Sequence, residues 1–380
     1  MTSAVDPLDL TTAIPTRYAH PLADGRIGCD VCPRHCTLLD GQRGLCFVRA
    51  RRGDEIVLTT YGRSSGYCVD PIEKKPLYHF LPGTPVLSFG TAGCNLACRF
   101  CQNWDISTSR EMQTLADSAP PERIARAAQA LGCRSVACTY NDPVIFLEYA
   151  IDTAKACREL GIRSVAVTAG YVCEEPRVDL FRHMDAANVD LKAFRESFYT
   201  KWCRGHLAPV LETLEYLVKE TDVWVEVTTL LIPGENDSDE DLHAASAWMV
   251  EHLGPDVPWH FTAFHPDYRM RDKPSTPAPT LHRARAIARS HGMRFAYTGN
   301  VRDPEGSRTD CPVCEETLVA RDGYAITGWK LSADGSCPRC GTACPGVLEA
   351  RPGTWGSHRL PVRLADFDEG NPSPDAVRFE

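Results

Sequence analysis

Apolar residues in the middle of the chain fall into short runs separated by longer segments of helical periodicity. The runs are VLSFG (86–90), SVACTY (135–140), SVAVTAG (164–170), NVDLKAF (188–194), VWVEVTTLL (223–231), WHFTAF (259–264) and RFAYTG (294–299). They are rich in Val, Thr and aromatics, and most are apolar on both faces, which predicts buried strands. Helical patterns occupy 121–131, 143–160, 176–185, 209–220, 239–253 and 280–291. Asp237 and Ser238, with acidic residues after them, suit a helix N-terminus. Strands buried on both faces and alternating with helices predict a parallel sheet. The expected fold is α/β: a partial TIM barrel of (β/α)6 type, with an open doubly wound sheet as the alternative. In both, functional residues stand just after the strands.

Flanking segments break this rhythm. Residues 1–80 are expected to form a Cys-rich region that includes a strand-like EIVLTTYG at 55–62. The barrel core is expected over 81–302, a Cys- and Gly-rich module over 303–350, and a tail over 351–380 whose last residues are acidic and of disordered composition. No internal repeat stands out.

Composition adds two constraints. With 41 Lys and Arg against 50 Asp and Glu, the formal charge is -9, so a broad nucleic-acid surface is not expected. The first residues, MTSAVDPLDLTTAIPTRY, lack a basic and then apolar leader, and no run of about 18 apolar residues occurs, so neither a signal peptide nor a membrane helix is expected. The chain has 18 cysteines. In a chain of 380 residues they point to a reducing cytoplasm and to metal rather than to disulfides.

The cysteines are clustered. In FGTAGCNLACRFCQNWDIS, Cys94, Cys98 and Cys101 are spaced CxxxCxxC just after an expected strand. Three thiolates this close can hold one face of a 4Fe–4S cube and leave one iron open; a zinc site or three buried thiols is the alternative. Gly90 and Gly93 allow the tight turn. Cys311, Cys314, Cys337 and Cys340 form two CxxC knuckles suited to zinc, with a rubredoxin-like iron site as the alternative and Cys344 as a spare. Cys29, Cys32, Cys36 and Cys46 offer a further metal site, with His35 able to replace one ligand; zinc, an auxiliary iron–sulfur cluster, or plain packing are the options. Cys203 reads as a small buried residue or a reactive thiol.

CxxxCxxC after the first barrel strand resembles the radical S-adenosylmethionine (SAM) superfamily. The segments CDVCPRHCTLLDGQRGLCFVR, TYNDPVIFLEYAIDTAK, VDLKAF, EVTTLLIPGENDSDEDL, FHPDY and CPVC…CPRCG look like the radical SAM enzymes of the AmmeMemoRadiSam system, which are similar to pyruvate formate-lyase activating enzymes. The resemblance spans about residues 25–350. It implies a 4Fe–4S cluster whose open iron chelates SAM, reductive cleavage of SAM, and hydrogen abstraction by the 5′-deoxyadenosyl radical from a protein or small molecule. It further implies an electron donor such as flavodoxin or ferredoxin, and hints at AMMECR1-like and MEMO-like partners. By the same resemblance Phe100, Gln102, Asn103, Asn141, Asp190, Lys192 and His265 are expected around SAM. Where relatives carry Asn-Glu-Pro this chain has Asp142, a carboxylate one methylene shorter that is not expected to reach the cofactor. Asp190 and Lys192 have a structural ion pair as their alternative role. Thr168, Gly170 and Tyr171 are expected near the pocket, Tyr171 equally as core. The Pro-rich loop 265–279 is a candidate lid. A non-catalytic metal scaffold or electron carrier is the competing function.

Overall fold

The computed structural model describes residues 13–110 and 117–367. Its centre is a sheet whose parallel strands follow the chain in order. After an antiparallel edge strand β1 (Arg63–Pro71) come β2 (Pro85–Gly90), β3 (Ser135–Cys138), β4 (Arg163–Thr168), β5 (Ala186–Asp190), β6 (Trp224–Leu231), β7 (Trp259–Ala263) and β8 (Ala296–Gly299). Six helices cross between them: α1 (Pro121–Ala130), α2 (Leu147–Glu159), α3 (Glu174–Phe181), α4 (Ala208–Glu220), α5 (Asp239–Trp248) and α6 (Ala278–Ser290). Sequential order without a switch point is a partial (β/α)6 barrel extended by a further strand, not a doubly wound sheet. Sheet pairing stops at β8, so the barrel is open on that side.

Local chemistry explains the boundaries. Ser238 accepts the Asp241 amide at 3.3 Å and starts α5. Pro121 and Pro209 stand in the first turns of α1 and α4, where a missing N–H costs nothing. The strand expected over 188–194 ends at Asp190. There the backbone leaves the sheet: the Lys192 amide donates to the Tyr199 hydroxyl at 3.1 Å, and Asn236 donates to the Lys192 carbonyl at 2.7 Å.

The outer regions are less separate than expected. Residues 63–71, assigned from sequence to the first region, pair with β2 and belong to the barrel sheet. Part of the expected tail is built in as well. Leu360 and Pro361 pair with Val69 and Cys68, and Leu364 is fully buried; an exposed sheet edge is thereby covered. The acidic end from 368 onward lies outside the described residues. The amino-terminal region forms two small three-stranded sheets, and residues 309–329 form a third. No described helix is long and apolar enough to cross a membrane.

The β1 edge carries a buried charge cluster. Asp70, with no exposure, accepts from Lys75 at 2.7 Å and Lys74 at 2.8 Å, and Lys75 is only 3% exposed. Burial alone would raise the Asp70 carboxyl, but the two ammonium groups outweigh it and bring it down to about 2. A depressed acid stabilises the fold above its unfolded value near 4, and that contribution fades as the pH falls through about 2. Asp70→Asn should lose about 3–5 kcal/mol at neutral pH, because Lys75 is left buried without its carboxylate; denaturant melts of the two proteins should converge near pH 2.

Candidate active site

Cys94, Cys98 and Cys101 lie on a loop of irregular backbone that leaves β2 at the carboxyl end of the barrel. Such a loop needs outside support. Asn141, after β3, provides most of it. Its Oδ1 accepts the Thr91 amide at 3.1 Å, and its Nδ2 donates to the Gly93 carbonyl at 2.8 Å and to the Thr91 hydroxyl at 3.2 Å. A Cβ at Gly90 would stand 2.6 Å from the Thr139 carbonyl and 2.7 Å from Asn141 Oδ1. Further along, the Ala97 amide donates to the Cys203 carbonyl at 3.0 Å and the Arg99 amide to the Trp202 carbonyl at 2.9 Å. The loop is thus stitched to two distant parts of the barrel.

The three cysteines face one open cavity of about 1410 Å³. Among the described residues, Cys311, Cys314, Cys337 and Cys340 are the group whose ligand atoms gather within 4.8 Å. Cys94, Cys98 and Cys101 are set wider than a single ion would draw them. A multi-iron cube suits that spacing, because its own edges separate the sulfurs that hold it. Burial pushes the Cys94 thiol up, and it holds Cys101 at about 11. Cys98 is raised by its hydrogen bond with the Cys203 thiol and then by burial. Metal therefore has to displace protons from these thiols as it binds.

The other expected residues fall into four sets. Phe100, Gln102 and Asn103 line the cavity beside the cysteines, and Phe100 packs on Phe198 at 5.6 Å between ring centres. Asp190 and Lys192 line the same cavity as an ion pair of 2.9 Å. Burial works against the Lys192 charge, but Asp190 and the thiols of Cys98 and Cys203 hold it well above its usual value. Asn141 lines the cavity with its amide spent on the loop. His265 is on the rim, its side chain 60% exposed, and its Nδ1 is 2.9 Å from Gln102 Nε2. It reaches the cavity only through Gln102.

Asp142 lines the cavity too, but its oxygens are already engaged. It accepts from the Thr168 hydroxyl at 2.8 Å and from the Ala169 and Val144 amides at 2.9 and 3.1 Å, tying the end of β3 to the end of β4. Thr168 lines the cavity, whereas Tyr171 is 1% exposed and packs in the core. The 265–279 loop does not wall the cavity. It docks on the cysteine loop, with Tyr268 stacked on Trp104 at 5.6 Å and the Arg269 amide donating to the Arg99 carbonyl at 3.1 Å.

Two contributions escaped sequence reasoning, while Cys203 follows its expected reading as a small buried residue. Lys74 and Lys75 reach the cavity from the turn after β1, and Tyr324 reaches it from the carboxyl-terminal hairpin. Cys203 is fully buried against Cys98. The adjacent lysines in IEKKP were a visible signal, since two neighbouring cations call for a carboxylate partner once buried. Nothing in the sequence pointed to Tyr324.

The carboxyl-terminal knuckles close as expected. Cys311 and Cys340 sulfurs are 3.5 Å apart, and those of Cys314 and Cys337 are 3.6 Å apart. The Glu315 and Gly341 amides donate to the Cys311 and Cys337 carbonyls, which turns each CxxC back on itself. The Thr342 hydroxyl and amide hold the Cys340 thiol down at about 6, ready to bind metal as thiolate. Cys344 stands apart, 3.9 Å from His79 Nδ1.

The profile of the radical SAM superfamily matches residues 89–245, from β2 through most of α5. The chain belongs to the radical SAM superfamily. It is 39% identical over 323 residues to "Uncharacterized protein MJ0808" of Methanocaldococcus jannaschii, covering 85% of this chain and 95% of that protein. Among solved structures, a domain of pyruvate-formate lyase-activating enzyme from Bacteroides vulgatus is 18% identical, covering 42% of this chain and 94% of that one, with a TM-score of 0.37. A radical SAM methyltransferase from Sphaerobacter thermophilus is 16% identical, covering 77% and 78%, with a TM-score of 0.46.

Asn141→Ala should loosen the cysteine loop without removing a thiol. The expected cost is on the order of 2 kcal/mol, from losing a buried amide that serves three groups, and iron should leave reconstituted protein faster than from the parent on chelator challenge.

Proposed function

We propose that this radical SAM protein abstracts hydrogen from a protein segment or small molecule, with chemistry of the glycyl-radical-activase kind. The observation that carries this reading is the cavity itself. Three cysteines spaced for a cube and the Asp190–Lys192 pair line one shared space at the strand ends. A 4Fe–4S cluster held by Cys94, Cys98 and Cys101, with one iron left free of protein, would supply the electron for reductive cleavage of SAM to methionine and a 5′-deoxyadenosyl radical.

The chain's own residues do the positioning. Cys94, Cys98 and Cys101 hold the cube, and Phe100 and Leu96 shield it from water. Lys192 offers a fixed cation to the SAM carboxylate, while Asp190 accepts from its ammonium or ribose hydroxyls. Gln102, steadied by His265, and Asn103 contact the adenosine side. The substrate enters beside the hairpin, where Lys74, Thr262, Asn300 and Tyr324 border both this cavity and a second of about 1120 Å³. The two open cavities adjoin through these shared residues, which favours a polypeptide loop or an extended small molecule that reaches from one into the other. A flavodoxin- or ferredoxin-type protein delivers the electron. AMMECR1-like and MEMO-like proteins are the proposed functional partners, on the strength of the sequence resemblance. The paired carboxyl-terminal CxxC knuckles hold structural zinc, the usual occupant of such ribbons.

Anaerobic reconstitution tests the reading. Reduced protein should convert SAM to methionine and 5′-deoxyadenosine, and Cys98→Ala should lose both cluster and cleavage while keeping its circular dichroism. A cluster-bearing protein that never cleaves SAM would instead make it an electron carrier. Metal analysis should find about one zinc per chain, lost in Cys337→Ser; a red, iron-only ribbon would exclude zinc.

A further inference from the structure

The four amino-terminal cysteines surround a cavity of their own. Cys29 ends a small strand, Cys32 and Cys36 follow in the next turn, and Cys46 lies on the loop before the Arg49–Arg52 strand. All four line one small pocket, whose remaining walls are mainly apolar. His35 is turned away. Its side chain is 62% exposed, and its Nδ1 is 3.2 Å from Asp30.

Two observations bear on what fills this space. The first is spacing. Zinc–sulfur bonds of about 2.3 Å bring tetrahedral thiolates to about 3.8 Å from one another. The carboxyl-terminal knuckles meet that, at 3.5 and 3.6 Å within their sulfur pairs. Among the described residues they are also the group gathered within 4.8 Å, and the amino-terminal four are not. These four sulfurs share one pocket but stand wider than a single zinc ion would draw them, a spacing that suits a group with edges of its own.

The second observation is a pair of orphaned donors. Arg49 is 2% exposed, and its two terminal nitrogens are taken by Glu148 at 3.0 and 2.6 Å. Its Nε is buried without a partner, and the side chain lines the cavity. Arg34 also lines it. Its Nε donates to the Asn95 carbonyl at 2.8 Å, while one terminal nitrogen is buried without a partner. Unmet buried N–H groups of this kind are costly. Sulfides and thiolates of an anionic cluster accept such bonds.

We infer that Cys29, Cys32, Cys36 and Cys46 hold a second 4Fe–4S cluster, with every iron ligated by protein. Having no open iron, it binds no SAM and its chemistry is electron transfer. Its position fits that role. A Cβ at Gly93 would stand 1.9 Å from the Cys46 carbonyl, so the backbones carrying Cys46 and Cys94 are in direct contact. Asn95 borders the outer cavity, while its neighbour Cys94 borders the SAM cavity. A low-potential flavin or iron–sulfur protein gives one electron to the outer cluster. That electron then passes to the cluster at Cys94, Cys98 and Cys101, reoxidising the first and reducing the second with no bond made or broken. The relay rests on the proposed SAM chemistry, whereas the cluster site does not.

The experiment is anaerobic reconstitution of the full chain with iron and sulfide. It is followed by iron, sulfide and zinc analysis and by Mössbauer and EPR spectra. The wild type should hold about eight irons in two cubes, and the triple variant Cys94→Ala, Cys98→Ala, Cys101→Ala should keep about four with a reduced-cube EPR signal. Cys32→Ser with Cys36→Ser should lose the other set. Zinc rising to about two per chain, or a folded triple variant empty of iron, would overturn the assignment while leaving SAM cleavage by the wild type intact. For the relay, the ratio of flavodoxin-driven to dithionite-driven SAM cleavage should fall severalfold in the Cys32→Ser, Cys36→Ser protein; an unchanged ratio would remove it.

Discussion

The cysteine loop after β2 has no regular structure, and everything proposed for this protein depends on how its backbone is held. Asn141 meets the loop's polar groups from below. The 202–203 backbone meets them from one side. On the other side the Cys46 carbonyl presses so close to Gly93 that no side chain fits. These contacts replace the hydrogen bonds that a helix or strand would have supplied. They also fix three thiols at a separation that a mobile loop could not keep.

The same contacts explain why small regions outside the barrel matter to its chemistry. The amino-terminal sheets supply the carbonyl against Gly93. The carboxyl-terminal hairpin supplies Tyr324 to the cavity wall. The segment around Leu360 covers the sheet edge that would otherwise be open. Electrostatics follow the same plan. Asp70 gathers Lys74 and Lys75 beside the cavity, and Asp190 engages Lys192 within its lining. Cations are thereby placed near the site with their desolvation offset by carboxylates from nearby positions. His79 and Glu226 join the outer module to the barrel in a comparable way. The Glu226 carboxylate accepts from the Tyr78 and His79 amides, and His79 reaches the Pro345 carbonyl at 2.7 Å.

Much of this was legible in the chain. Seven apolar runs and six helical patterns correspond to the strands and helices with ends shifted by a few residues, because burial on both faces leaves a local imprint. CxxxCxxC and the paired CxxC knuckles were equally plain, since their ligands are neighbours in sequence. Asp142, expected not to reach the cofactor, does line the cavity, with its oxygens spent on tying β3 to β4.

What sequence determined by itself was therefore the kind of fold, the family and the local metal-binding motifs, each written within a short stretch of chain. Tertiary structure alone decided the partnerships: Cys203 against Cys98, His265 behind Gln102, Tyr324 in the wall, and Cys46 against Gly93. It also separated two four-cysteine sites that read alike, one drawn tight and one set wider. The physical reason is that ligand spacing in space depends on how the backbone between the cysteines is bent and buttressed. Those bends are set by contacts with residues far away along the chain.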